Sequence, residues 1–413
     1  MFYEKMEESK DVEILTKDRA KKKKSIKKLL NNKIFKLLIF FIIIFPILFI
    51  LYYYIHNNKY DNKDKSKQYE ELNNNNNNKN QNISKLNNNK NLTLELVRNL
   101  TYEGPYSLQN KNRYKFNTHS ISQFPSGKLI SIDVVSINIF DINYNLIQKI
   151  YTFDVKEKFP KTKLFDLVVR DENTFSVSTN EGDIKIFNKN LKNEKFELKQ
   201  HIKASNAPVR KLIFDSKNKL YSGSYDDIIK IWEENEKGVY INIKSINSSD
   251  IFAIMLLEDK NLLISKSRPK LYFYDIKNDY NLITTVDERS MYNMERLDND
   301  KILIYHDKYL KVISLDNYKL IKKVNIGMKA FDIKYYKEKG IILIGGSYQY
   351  YKDWEMSLIK IYRSDNFELI NTIENTNGDY LYGLYILKNG LIASYGSDGD
   401  ENGIKLWKLN EIN

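Results

Sequence analysis

The chain has 413 residues, is 42% hydrophobic and 13% aromatic, and carries a formal net charge of +13 with no cysteine. The lack of cysteine excludes disulfides, thiolate metal sites and a cysteine nucleophile, and the four histidines (His56, His119, His201 and His306) stand at no metal-ligand spacing, so zinc or imidazole chemistry has little to work with. Nor does the charge indicate a nucleic-acid partner: residues 1–93 hold 19 Lys and Arg against 10 Asp and Glu, whereas the remaining 320 residues hold 47 against 43, so the excess sits mostly outside the part able to fold.

In chain order, residues 1–36 form a basic tail with 12 Lys and Arg, including the lysines at 21–24, 27 and 28. Residues 37–55 then run 19 positions without a charge, close to the ~20 a helix needs to cross a ~30 Å hydrocarbon core. Pro46 at the middle of this span is tolerated in membrane helices, and Tyr52, Tyr53 and Tyr54 at its end suit the headgroup region. A long tail precedes the span and no small-residue cleavage site follows it, so it is expected to remain as an uncleaved signal-anchor, a single transmembrane helix. Only four lysines (Lys59, Lys63, Lys65, Lys67) lie in the 15 residues beyond it. That bias keeps the N-terminus cytosolic and places the rest of the chain in a lumen or outside the cell. Residues 56–93 are polar, with six consecutive Asn at 73–78, and bury too little apolar surface to offset chain entropy; a disordered linker is expected.

From residue 94 the sequence repeats. Its clearest unit, residues 220–233, reads as an apolar strand, a tight turn and a second apolar strand ending at Trp232. An aromatic or apolar anchor ends such a strand at Phe140, Phe187, Trp232, Tyr274, Ile313, Tyr362 and Trp407, in steps of 47, 45, 42, 39, 49 and 45 residues. Four-stranded propeller blades recur every ~40–45 residues. Residues 94–413 are therefore expected to form an all-β, seven-bladed β-propeller. The chain ends soon after the seventh copy, and an unassigned strand at 94–97 precedes the first. Pairing of these N- and C-terminal strands would complete the seventh blade and close the ring without an exposed edge.

The unit at 220–233 resembles the WD-repeat pattern S-G-S-x-D-x-x-I-K-I-W-D, with Glu233 in place of the last Asp. The resemblance extends over about 320 residues but is degenerate. The family's Gly-His pair is missing, with Gln200-His201 near its place, and the turn aspartate is clear only at Asp226, where it would cap the turn and bond back to the blade.

The resemblance implies a domain that rarely catalyses and that presents loops at a narrow face, toward which one residue near the start of each inner strand points. That column is His119, Phe165, Arg210, Phe252, Tyr292, Phe331 and Tyr382. Five of the seven are Phe or Tyr, which suits a hot-spot contact with a protein or peptide, or packing between blades. Asp398, Asp400 and Asn402 match the start of a calcium loop, although Leu409 stands where its bidentate Glu belongs, and a plain polar turn competes with that reading. Asp166 and Asp332 are the acids able to face a central channel. The expected protein is thus a membrane-tethered, non-enzymatic scaffold that binds a protein or peptide partner at the narrow face, with no cofactor and no small-molecule substrate. The competing readings are an enzyme with its active site in the channel and a cytosol-facing trafficking or exchange scaffold.

Overall fold

The computed structural model describes residues 91–101, 118–152 and 161–412, apart from positions 250, 268, 289–292, 299, 307, 351–353, 375, 378–379 and 399–400. The basic tail, the expected membrane span at 37–55 and the linker lie outside the described residues. Among the described residues no helix is long and apolar enough to cross a membrane.

The described residues form seven four-stranded antiparallel sheets. Blades one to six take their strands in sequence order from 120–151, 164–203, 209–247, 253–286, 294–325 and 329–374. Blade seven takes three strands from 380–412, and its fourth is Asn91–Thr101, paired antiparallel with Glu401–Ile412. This strand begins three residues before the expected boundary at 94. The apolar alternation starts at Leu92, which packs with Leu94 against the core between blades six and seven. The first strand of each blade touches the first strand of the next, and that of blade seven touches that of blade one, so seven blades surround a centre. The sheets thus form a seven-bladed β-propeller.

Second strands are buried along most of their length even where they carry Ser or Lys, as in Leu262–Lys266, because neighbouring blades cover both of their faces. All seven anchor positions read from the sequence are buried. The core is divided among the blade interfaces. Each apolar cluster joins two adjacent blades; Leu100, Leu387 and Leu406 of blade seven, for example, pack with Ile121, Leu129 and Phe140 of blade one. Burying such aliphatic side chains stabilises by roughly 1.5–3 kcal/mol each. Close approach fixes some residues as glycine: a Cβ on Gly223 would lie 2.7 Å from Ile251 of the next blade.

The fourth strands carry a second repeat that faces outward. Its first position is Tyr144, Phe196, Tyr240, Tyr280, Tyr318, Phe367 or Leu94, and this side chain packs on the preceding blade. Phe196 stacks on Phe124 at 5.2 Å, Tyr318 lies 4.9 Å from Phe273, and the Tyr280 and Tyr221 hydroxyls are 2.8 Å apart. Three residues on, the ladder skips one position in every blade, at Ile147, Lys199, Ile243, Ile283, Ile321, Ile370 and Val97. These bulges twist the outer edges away from edge-to-edge pairing. The residue after each bulge often reaches the following blade: Lys244 bonds Asp279 at 2.7 Å, and Arg98 of blade seven donates to the Asn143 carbonyl of blade one.

Candidate functional site

The expected column lies where the inner strands begin. Phe165, Arg210, Phe331 and Tyr382 lie within the inner strands of blades two, three, six and seven, and His119 and Phe252 immediately precede those of blades one and four. Tyr292 lies outside the described residues. A feature not read from the sequence explains how these side chains are aimed. In blades three, six and seven the ladder to the second strand skips Arg210, Phe331 and Tyr382, and in blade two the two residues Phe165 and Asp166 oppose one. The column residue is therefore the bulged residue, and a bulge bends its strand and re-aims the side chain.

The column forms an arc at the mouth of the ring. The Tyr382 ring meets His119 edge-on at 5.9 Å. Phe165 of blade two lies 4.7 Å from the Arg210 guanidinium of blade three. On its other neighbour, Arg210 lies 4.9 Å from Tyr225, which sits in the turn between the second and third strands of blade three. Tyr225 in turn contacts Phe252 of blade four at 5.1 Å, and the fully buried Lys266 holds its ammonium 5.7 Å from the Phe252 ring. Across the ring, Lys329 lies 5.1 Å from Phe331. The arc thus combines ring pairs with cations placed where the quadrupole of a ring attracts the charge beside it. The members differ in exposure: His119 is half-buried, while Tyr382 is 37% exposed. Tyr225, Lys266 and Lys329 complete the arc and were not read from the sequence. Only the neighbourhood of each inner-strand start, where turn residues converge, could have pointed to them.

Burial lowers the His119 pKa from 6.5, and the nearby Arg210 adds to that effect, while the Leu164 carbonyl opposes it. His119 Nδ1 lies 3.1 Å from that carbonyl, which can only accept, so Nδ1 carries the proton of a neutral ring.

Below the mouth, the acids facing the centre stitch blades together. Asp166 of blade two accepts from the Leu212 N–H of blade three at 2.9 Å and from the Ser120 hydroxyl of blade one at 3.4 Å, with Lys211 at 3.3 Å. Asp332 of blade six accepts from the Leu384 N–H of blade seven at 2.9 Å and from the Asn293 amide of blade five at 2.8 Å. Each carboxylate thus links three blades. Lys334 lies 3.4 Å from Glu295 and 3.8 Å from Asp332. Burial opposes its charge, but the two carboxylates outweigh burial and hold its pKa above the ordinary range. The buried Tyr395 hydroxyl, kept protonated by burial and by the charges of Asp332 and Asp166, passes over Gly383, where a Cβ would lie 2.1 Å from it. Glu295, Lys334 and Tyr395 carry no sequence signal, since isolated charges and tyrosines on strands read as surface.

The WD-like unit is held by side-chain bonds within and beside its blade. Trp232 Nε1 donates to Ser222 Oγ at 2.9 Å, and Trp407 Nε1 to Ser394 Oγ at 2.8 Å. Asp226 accepts from the hydroxyls of Ser224, in its own blade, and Ser205, the latter at 2.7 Å. His201 does not join this network. It lies on the outer strand of blade two, half-exposed, with Nε2 3.4 Å from Asp183. Ser205, four residues later, supplies the link to the turn.

Asp400, the central residue of the calcium match, lies outside the described residues. The backbones of Asp398 and Asn402 stand in a hairpin ladder, with Asp398 opposite Glu401 and Asn402 opposite Ser397. Residues 401–412 then continue as one strand, where a calcium loop would have to curl. Among the described residues no group of three or more acidic or histidine side chains is placed to hold a metal. Two clefts of about 280 and 240 Å³ lie between blades four and five and between blades one and two, and no column residue lines either. No family model matches the chain, and no curated protein matches it at a significant level.

Proposed function

We propose that this protein is a membrane-tethered, non-catalytic scaffold that binds a protein or peptide at the narrow face of its propeller, the end where the inner strands begin. The observation that carries this reading is the arc of Tyr382, His119, Phe165, Arg210, Tyr225 and Phe252, drawn from five blades, with Tyr382, Phe165 and Arg210 aimed by bulges. Aromatic residues and arginine are the side chains that dominate binding energy at protein interfaces. The bonds of Asp166 and Asp332 support the non-catalytic side of the reading: each acid in the centre already binds the backbone of a neighbouring blade. The degenerate WD-like units support kinship with WD-repeat scaffolds.

Tethering rests on the 19 uncharged residues at 37–55, and a luminal or extracellular propeller rests on the 12 basic residues before them. Protease added to intact microsomes is expected to leave the chain beyond residue 90 protected, and digestion of that part would move the scaffold to the cytosol. The binding site is tested by replacing Phe165, Phe252 and Phe331 together with Ala in the full chain. Partner capture is expected to fall at least tenfold with the cooperative melt retained; unchanged capture rejects the narrow face.

A further inference from the structure

Arg210 is held at the mouth with its hydrogen-bonding capacity unused. Its guanidinium lies 4.7 Å from the Phe165 ring and 4.9 Å from the Tyr225 ring, and it makes no hydrogen bond or ion pair with any described residue. Other arginines of the propeller are used differently. Arg170 bonds Asp171, Glu234, Tyr240 and Thr174, all within 2.9 Å, and Arg296 forks onto Asp259 at 2.8 and 2.7 Å. The acids near Arg210 are engaged elsewhere: Asp166 by Leu212 and Lys211, and Asp226 by Ser205 and Ser224. Ring contacts restrain the side chain while leaving its in-plane N–H groups, a fork that matches the two oxygens of a carboxylate or phosphate. A side chain restrained in advance loses less entropy on binding. The neutral His119 beside it adds no competing cation.

We propose that Arg210 receives an oxyanion of an acidic peptide, whose apolar neighbours lie on Phe165, Tyr225 and Phe252. The inference rests on the narrow-face reading and names the chemistry of its ligand. It is tested with the full chain and three labelled hexapeptides in which Phe alternates with Glu, with phosphoserine or with Lys. Binding of the Glu or the phosphoserine peptide at least tenfold tighter than the Lys peptide is expected, and the stronger of the two identifies the source of the oxyanion. Arg210→Gln is expected to remove that preference, while Arg210→Lys keeps part of it, with the melting temperature of each variant close to that of the parent. Equal binding of acidic and basic peptides, or full retention by Arg210→Gln, overturns the assignment. The combined Phe165, Phe252 and Phe331 variant separates the two levels. If it loses partner capture while Arg210→Gln does not, the narrow face stands and the oxyanion site falls; if neither loses capture, both fall.

Discussion

The side-chain amide of Gln148 engages both backbone polar groups of Phe196 in the next blade: Nε2 donates to its carbonyl and Oε1 accepts from its N–H, each at 2.9 Å. Gln200 repeats this with Tyr240, again with both bonds at 2.9 Å. Asn371 of blade six donates to the Leu92 carbonyl of blade seven at 2.9 Å. The outer strands are thus laced to one another by residues at one repeat position, independently of the inner strands that touch around the centre. Replacing Gln200 with Leu keeps the size and removes two bonds, each worth about 0.5–1.5 kcal/mol. Urea unfolding is expected to show a loss of about 1–3 kcal/mol, and an unchanged midpoint would mean the lacing contributes nothing.

Asn91–Thr101 is the fourth strand of blade seven, and removing it uncovers the edge of Gly403–Ile412 and empties Leu94 and Leu100 from two core clusters. A chain lacking residues 91–101 is expected to lose cooperative unfolding and to aggregate through the freed edge. A monodisperse, cooperatively melting chain beginning near residue 105 would show that the ring holds without this strand. Arg98→Ala alone is expected to cost less than about 1 kcal/mol, because its partners are exposed.

Asp332 is expected to be structural. Asp332→Ala leaves the Leu384 N–H and the Asn293 amide without their acceptor inside the ring. Each such loss costs about 1–3 kcal/mol, so a destabilisation of about 2–6 kcal/mol is expected by chemical denaturation. A variant as stable as the parent would return this acid to the list of candidates for chemistry.

His119 makes stability depend on pH. Unfolding restores its ordinary value of 6.5, so below that pH the unfolded chain takes up a proton that the buried ring resists. Its contribution is complete above pH 6.5 and is lost as the pH falls through the lowered folded value. The melting temperature is therefore expected to drop between pH 7.5 and 5.5, by less in His119→Gln than in the parent. Equal drops in the two chains would remove His119 as the cause.

The blade count and the anchors were legible in the sequence because one signal carried both: a buried third-strand residue such as Phe187 or Trp232 must recur once per blade. The column at the mouth was legible for the same reason, since Phe165, Arg210 and Phe331 share one place in the repeat. The bulges that aim them were not, because an extra residue in one strand is visible only once its partner strand is paired. The outer repeat shows the limit of a search for apolar cores. Leu282-Ile283 and Leu320-Ile321 recur at equal spacing after Tyr280 and Tyr318, yet they are exposed, and their regularity serves the lacing between blades rather than burial. Glu295 and Lys334 were not legible, because a lone charge on a strand does not show whether the fold turns it toward the centre. The turn at Asp226 takes its partner from Ser205, a hydroxyl that no motif in the sequence marks.

The central claim, that the partner sits on the mouth of the ring, is tested most directly by a photo-crosslinking side chain placed in the full chain in its native host. It would replace Tyr382 or Phe165 at the mouth and, for comparison, Leu282 or Ile321 on the outer strands, which are 52% and 50% exposed. The account predicts a discrete adduct from the mouth positions that is absent from the outer ones. Adducts formed from the outer strands and not from the mouth would contradict it.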